Sequence, residues 1–180
     1  MFLDLYSDRT PTVSSGSFLC FAYGSNMASH RLQVRAPSAE KVAVGWLGGY
    51  RLTFDKVSRD GSGKCDCERT DNPEDRVYGV VYRIARADED ALDRVEGLNN
   101  GYEKQNVGMT TGAGELTAVV YIATRKEPGL KPYAWYKEHV LRGAKEHSLP
   151  EDYVRKIETV EAIPDPNEKR VTMEMAIWEA

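Results

Sequence analysis

The stretch that decides the reading of this chain is FLCFAYGSNM, Phe18–Met27. Five apolar residues in a row, Phe18–Ala22, read as a buried strand, and Gly24 stops it. Glycine at a strand end lets the chain turn tightly and lets backbone approach a ligand. Ser25 or Asn26 can cap the helix that follows, read over Met27–Arg35 and closed by Pro37. The free N–H groups at such a helix start suit a carboxylate. An ordinary capped strand–helix turn accounts for the same letters, so the stretch marks a place and not yet an activity.

Working outward, Lys41–Leu47 and Tyr50–Phe54 are strand candidates joined by Gly48-Gly49, a hairpin signal, and Ser58–Lys64 reads as a loop. In KCDCE, Cys65 and Cys67 fall on one face of a strand, because side chains alternate with period two. Val77–Ile84 is a β-rich run. Asp88–Glu96 reads as a helix capped by Asp88, with Ala91, Leu92 and Val95 on one face and Gly97 as its stop. Tyr102–Met109 and Leu116–Ala123 flank a TTGAG turn. Pro132–His147 carries Tyr133, Tyr136, Val140 and Ala144 on one stripe, and Ser148–Glu151 has the capping-box pattern of a further helix with Tyr153, Ile157 and Val160 inward. Val171–Ile177 reads as a last strand. Six or seven strands and four helices, with strands mostly beside their sequence neighbours, make an α+β fold whose mixed or antiparallel sheet can curl into a barrel.

The chain has 180 residues, 41% hydrophobic and 29% charged, which fits one domain with a real core. The expected layout is a loosely held polar arm over 1–17 and a single domain over 18–180. Net charge is −4 and no basic cluster appears, which excludes backbone-phosphate binding to nucleic acid. Apolar runs such as Ala43–Leu47 are far too short to span a membrane, and residues 1–17 lack a basic and an apolar signal region. Three cysteines fit no disulfide framework, and no second Cys/His pair joins Cys65 and Cys67 in a metal site. The chain reads as soluble and cytoplasmic, with no metal and no cofactor implied.

Two further places could carry chemistry. Glu96 ends a helix, where the macrodipole disfavours negative charge, a position suited to a group that takes and returns a proton. Tyr23, Tyr102, Tyr121 and Tyr136 form a possible aromatic lining, although core packing explains tyrosines as well. No G-x-S-x-G elbow, Cys/His pair, Walker loop or G-x-G-x-x-G is present. An enzyme built on this sequence would work without a protein nucleophile.

Taken together, FLCFAYGSNM, VYGVVYRI (Val77–Ile84), ALDRVEG (Ala91–Gly97) and YKEHVLRGAKEHSLPEDYVRKI (Tyr136–Ile157) resemble the gamma-glutamylcyclotransferase family, from about Phe18 to about Ile163. The resemblance implies a small β-barrel flanked by helices, with Glu96 as general acid/base. It implies that Tyr23, Gly24, Ser25 and Asn26 hold the gamma-glutamyl group, that Cys20, Phe21 and Ala22 lead into that loop, and that Tyr102, Tyr121 and Tyr136 line the cavity. The implied reaction closes the substrate's own α-amine onto its γ-carbonyl, releasing 5-oxoproline and an amine. The Y-G-S-N loop differs from the Y-G-S-L of the glutathione-specific branch, and EGLNNGY is one residue shorter than in the animal enzymes. Two rival readings are a branch tailored to one gamma-glutamylamine or secondary metabolite, and a non-catalytic module that binds a gamma-glutamyl metabolite or a partner protein. The sequence names neither the leaving amine nor an oligomeric state.

Overall fold

The computed structural model describes residues 16–179. The expected arm over 1–17 therefore lies almost entirely outside the described residues. Ser17 belongs to the first strand, and the Gly16 carbonyl accepts the Arg86 N–H.

Five strands close into a barrel in the order β1 (Ser17–Ala22), β5 (Arg76–Ala85), β2 (Glu40–Gly48), β6 (Tyr102–Thr111), β7 (Gly114–Ala123). β1 lies antiparallel to β5, with Phe18 opposite Ile84 and Phe21 opposite Val81. β7 meets β1 in parallel, Cys20 opposite Val119, and that contact completes the ring. Closure leaves no barrel edge open to pairing. Phe21, Leu47, Val80, Val81, Tyr82, Ile84 and Val120 are buried in the core. The apolar runs read from the sequence are strands because both their faces are covered.

The Gly48-Gly49 pair does not make a hairpin. β2 pairs with β5 and β6, whereas β3 (Tyr50–Val57) pairs with β4 (Gly63–Arg69) in a separate two-stranded sheet. Gly49 is a left-handed corner (φ 79°). Its N–H donates to the Asp75 carbonyl at 2.9 Å and its own carbonyl accepts from Thr70 at 2.8 Å, so the chain swings off the barrel there. The turn expected over Ser58–Lys64 ends earlier, because Gly63 already starts β4. Asp66, fully buried, fastens this hairpin to the barrel by accepting the Ala123 N–H at 2.8 Å, with Lys126 at 3.2 Å.

Helices α1 (Ser29–Arg35), α2 (Glu89–Glu96), α3 (Ala134–Glu146), α4 (Glu151–Thr159) and α5 (Glu168–Met175) pack around this frame. α2 stops as expected. Gly97 is left-handed, its N–H reaches the Arg94 carbonyl, and the Leu98 N–H reaches that of Asp93 at 2.9 Å. Local expectations fail at three places. The Asp88 carboxylate accepts from Ser38 instead of capping α2, and Val95 is half exposed. Ser148 does not cap α4; it sits at φ +52° and Pro150 takes the cap position. The last strand is instead α5, whose start Asn167 caps by accepting the Arg170 N–H at 3.1 Å. The alternating Val171, Met173, Met175 and Ile177 imitate a strand, but Asn167 and the inward contacts of Glu174 select the helix.

Candidate active site

The site forms where β1 and β7 end and β6 begins. After Ala22 the chain makes a short 3₁₀ turn, Ser25–Met27. No side chain caps this turn or α1, contrary to the expectation for Ser25 and Asn26. The turn is held from behind. The Met27 carbonyl accepts from Tyr82 Oη at 2.7 Å and His147 Nε2 at 2.9 Å. A carbonyl can only accept, so His147 carries its proton on Nε2 there. α3 presses on the same turn, because a Cβ at Gly143 would stand 2.6 Å from the Ala28 nitrogen.

One cavity is lined by Cys20, Phe21, Ala22, Tyr23, Gly24, Ser25, Asn26, Glu96, Tyr102, Tyr121 and Tyr136, joined by Leu32 and Cys65. Every residue named from the sequence is thus brought to one place, although they come from four regions of the chain. Asn26 ties the loop to the carboxylate: its Nδ2 donates to Glu96 Oε1 at 2.5 Å, while its Oδ1 accepts from Arg35 Nη1 at 2.6 Å. Arg35 Nη1 itself lies 3.8 Å from Glu96 Oε1. Sequence reading missed Arg35. Its only signal was its place in the last turn of the helix that the loop opens.

The four tyrosines are fixed by their hydroxyls. Tyr23 donates to the Tyr121 carbonyl, and Tyr121 Oη donates to Asp93 at 2.5 Å. The β3–β4 register slips between Thr53 and Lys56, which leaves Cys65 outside the ladder. Two tyrosines replace the missing strand partners. Tyr102 Oη donates to the Cys65 carbonyl at 2.6 Å, and the Cys65 N–H donates to Tyr136 Oη at 3.1 Å. Gly24 answers the same crowding. Its backbone is not left-handed (φ −111°), but a Cβ there would meet Cys65 Cβ at 3.1 Å and Tyr136 Oη at 3.2 Å. The glycine is needed for its protein neighbours, where the sequence suggested a tight turn.

Burial pushes the phenols of Tyr23, Tyr102, Tyr121 and Tyr136 above their ordinary range, and Asp93 adds to the effect on Tyr121. Burial likewise pushes the Cys65 thiol up to about 12, and raises Cys20 and Cys67. These groups stay neutral near pH 7, so none supplies an anionic nucleophile or base. Glu96 is the one carboxylate in the lining. Among the described residues no His/Cys/Asp/Glu group is arranged to hold a metal ion, and no helix is long and apolar enough to cross a membrane.

The closed five-stranded barrel flanked by helices places the chain among small barrel proteins, and its relatives share that fold. The sequence model of the AIG2-like family matches residues 76–157. Gamma-glutamylcyclotransferase of Mus musculus is 35% identical over 158 residues, covering 84% of this chain and 81% of its own. That of Homo sapiens is 35% identical over 151 residues, covering 81% and 79%. A solved structure titled gamma-glutamyl cyclotransferase superposes with a TM-score of 0.79 at 31% identity, over 91% of this chain and 99% of that one. The chain belongs to the gamma-glutamylcyclotransferase family.

Proposed function

We propose that this protein is a gamma-glutamyl cyclotransferase that works without a cofactor. The γ-glutamyl half of a γ-glutamyl amide lies in the tyrosine-lined cavity, held by the backbone of Tyr23–Asn26. Its α-amine attacks its own γ-carbonyl carbon, a C–N bond forms, and a five-membered ring closes. The bond to the leaving nitrogen then breaks. The products are 5-oxoproline and a free amine. Glu96 takes the proton that the attacking nitrogen must lose and returns one to the departing nitrogen, so the carboxylate ends as it began.

An intramolecular attack needs little beyond alignment, since effective molarities reach on the order of 10⁵–10⁸ M. That is why a site of neutral phenols and one carboxylate suffices. The observation that carries the reading is the Asn26–Glu96 hydrogen bond, which joins the substrate loop to the proton-transfer group. Arg35, touching both, is a positioning residue in this scheme. A role in glutathione metabolism goes with this reading, with intact glutathione a weaker candidate than other γ-glutamyl compounds because the loop reads Y-G-S-N. Three free, buried cysteines suit a reducing compartment, and the cytoplasm is the location that goes with this reading.

The test is release of 5-oxoproline, in one-to-one amount with free amine, from a panel of γ-glutamyl amino acids and γ-glutamylamines. Turnover of at least one member is the expected result. A folded protein that releases 5-oxoproline from none of them sinks the proposal.

A further inference from the structure

Ser25, Glu96, Tyr102 and Tyr136 also line a wider basin outside the cavity, and its remaining walls are rich in cations. Most of that charge is already matched. Arg31 pairs with Glu174 at 2.6 Å, Lys64 with Asp60 at 2.9 Å, and Arg170 grips Asp165 through two nitrogens. Arg35 is committed to Asn26 and Glu96.

Lys56 is different. The residue is 8% exposed, and among the described residues its ammonium has no hydrogen-bond or ion-pair partner that the structure records. Its position is nonetheless fixed. Nζ lies 4.5 Å from the centroid of the Tyr102 ring. The stem crosses Gly101, where a Cβ would stand 2.9 Å from Lys56 Cε and 3.1 Å from Nζ. Gly101 has φ +129°, which L side chains rarely adopt, so the turn keeps this space open. Burial lowers the Lys56 pKa, with the Glu96 carboxylate the main opposing influence. The side chain is thus packed and held while it lines the basin without a counter-ion, so an anion entering the basin meets a charge already in position.

On the reading above, the γ-glutamyl half fills the cavity and the scissile amide meets Glu96, so the leaving half points into this basin. We propose that Lys56 is a specificity-determining residue whose ammonium binds a carboxylate on the leaving half of the substrate. That carboxylate is either the α-carboxylate of a leaving amino acid or one on its side chain.

The experiment compares wild type with Lys56→Met, which keeps an unbranched apolar stem and removes the charge. Four substrates are used: γ-glutamyl-alanine, γ-glutamyl-alaninamide, γ-glutamyl-glutamate and γ-glutamyl-glutamine. If the α-carboxylate is bound, the kcat/KM ratio of alanine over alaninamide falls about 10–100-fold in the variant, mainly through KM. If a side-chain carboxylate is bound, the ratio of glutamate over glutamine falls instead. Lys56→Arg retains part of the ratio, and circular dichroism with Tm checks the fold. Both ratios unchanged, in a folded variant that still turns over, overturn the assignment of Lys56 alone. No 5-oxoproline from wild type on any substrate overturns it together with the proposed activity.

Discussion

The cavity and the basin share Ser25, Glu96, Tyr102 and Tyr136, yet they are built on opposite plans. In the cavity, polarity is spent inward: phenol hydroxyls donate to the Tyr121 and Cys65 carbonyls and to Asp93, leaving rigid apolar ring faces toward the space. In the basin, polarity stays as full charge on long side chains, most of it paired across elements. A wall of tethered rings selects by shape, and a wall of charges selects by charge. Of the residues they share, Glu96 alone is a carboxylate, at the boundary where a bond would be made on one side and broken on the other.

The sharpest way to break that contrast is to remove the boundary charge. Glu96→Gln is nearly isosteric and keeps a partner for Asn26, yet it cannot take a proton. We expect kcat to fall by about 10²–10⁴-fold, the usual worth of a general acid–base group, with fold and product affinity kept. A folded variant within about threefold of wild type would leave Glu96 without its role.

Next in size is Gly24→Val. Its Cβ alone would crowd Cys65 and Tyr136, so the branched side chain should destabilise the protein by about 1–3 kcal/mol as well as remove turnover. Urea unfolding beside the activity assay checks this; full activity at unchanged stability would mean the cavity wall is soft. Tyr102→Phe is milder. It strands the buried Cys65 carbonyl, at a cost of about 1–2 kcal/mol, while its ring face and most of the cavity shape survive. The expected signature is a lowered denaturation midpoint with kcat changed less than in the Glu96 variant.

The basin gives the smallest effect, read through pH. His139 is fully buried and accepts from Trp178 Nε1 at Nδ1, 3.0 Å, while its Nε2 faces Glu174 at 3.2 Å. Burial lowers the His139 pKa below its ordinary value. Burial pushes the Glu174 carboxyl up, but His139 and Arg31 more than reverse this and hold it at about 2. Both groups bind protons more readily in the unfolded chain. Stability should therefore fall as pH drops below about 6.5 through His139, and again below about 4.5 through Glu174. Tm measured from pH 7 to pH 3 should show both declines, and Glu174→Gln should flatten the lower one.

What could be read in advance follows from range. Phe18–Ala22, Gly24 and the Gly97 stop are local signals, and each element they mark is present. Family resemblance carried Glu96 and the tyrosines, which no spacing alone would have joined. The caps expected of Asp88, Ser148, Ser25 and Asn26 fail locally, and the larger failures are long-range. Gly48-Gly49 resembles a hairpin turn, but whether β3 pairs with β2 or β4 depends on Asp66 reaching Ala123, 57 positions away. Val171–Ile177 alternates like a strand, and the Asn167 cap together with the contacts of Glu174 to Arg31 and His139 shows why a helix is preferred. Arg35 and Lys56 are ordinary surface letters in sequence. Their meaning comes from the absence or presence of a partner in space.

The β3–β4 hairpin carries Cys65 to the cavity and Lys56 to the basin, but within its own sheet each strand pairs only with the other. Glu96 and the Tyr23–Asn26 loop ride instead on elements of or directly against the barrel. On the proposed scheme the proton-transfer group rides on the barrel side and the selecting cation on the hairpin, the two joined through Cys65 and Asp66. A lineage can lengthen, shorten or recharge the 58–62 turn without disturbing a single barrel ladder bond. On that scheme substrate range can drift through the turn while the chemistry stands still, which marks the turn as the part to shuffle in a library aimed at new γ-glutamyl amides.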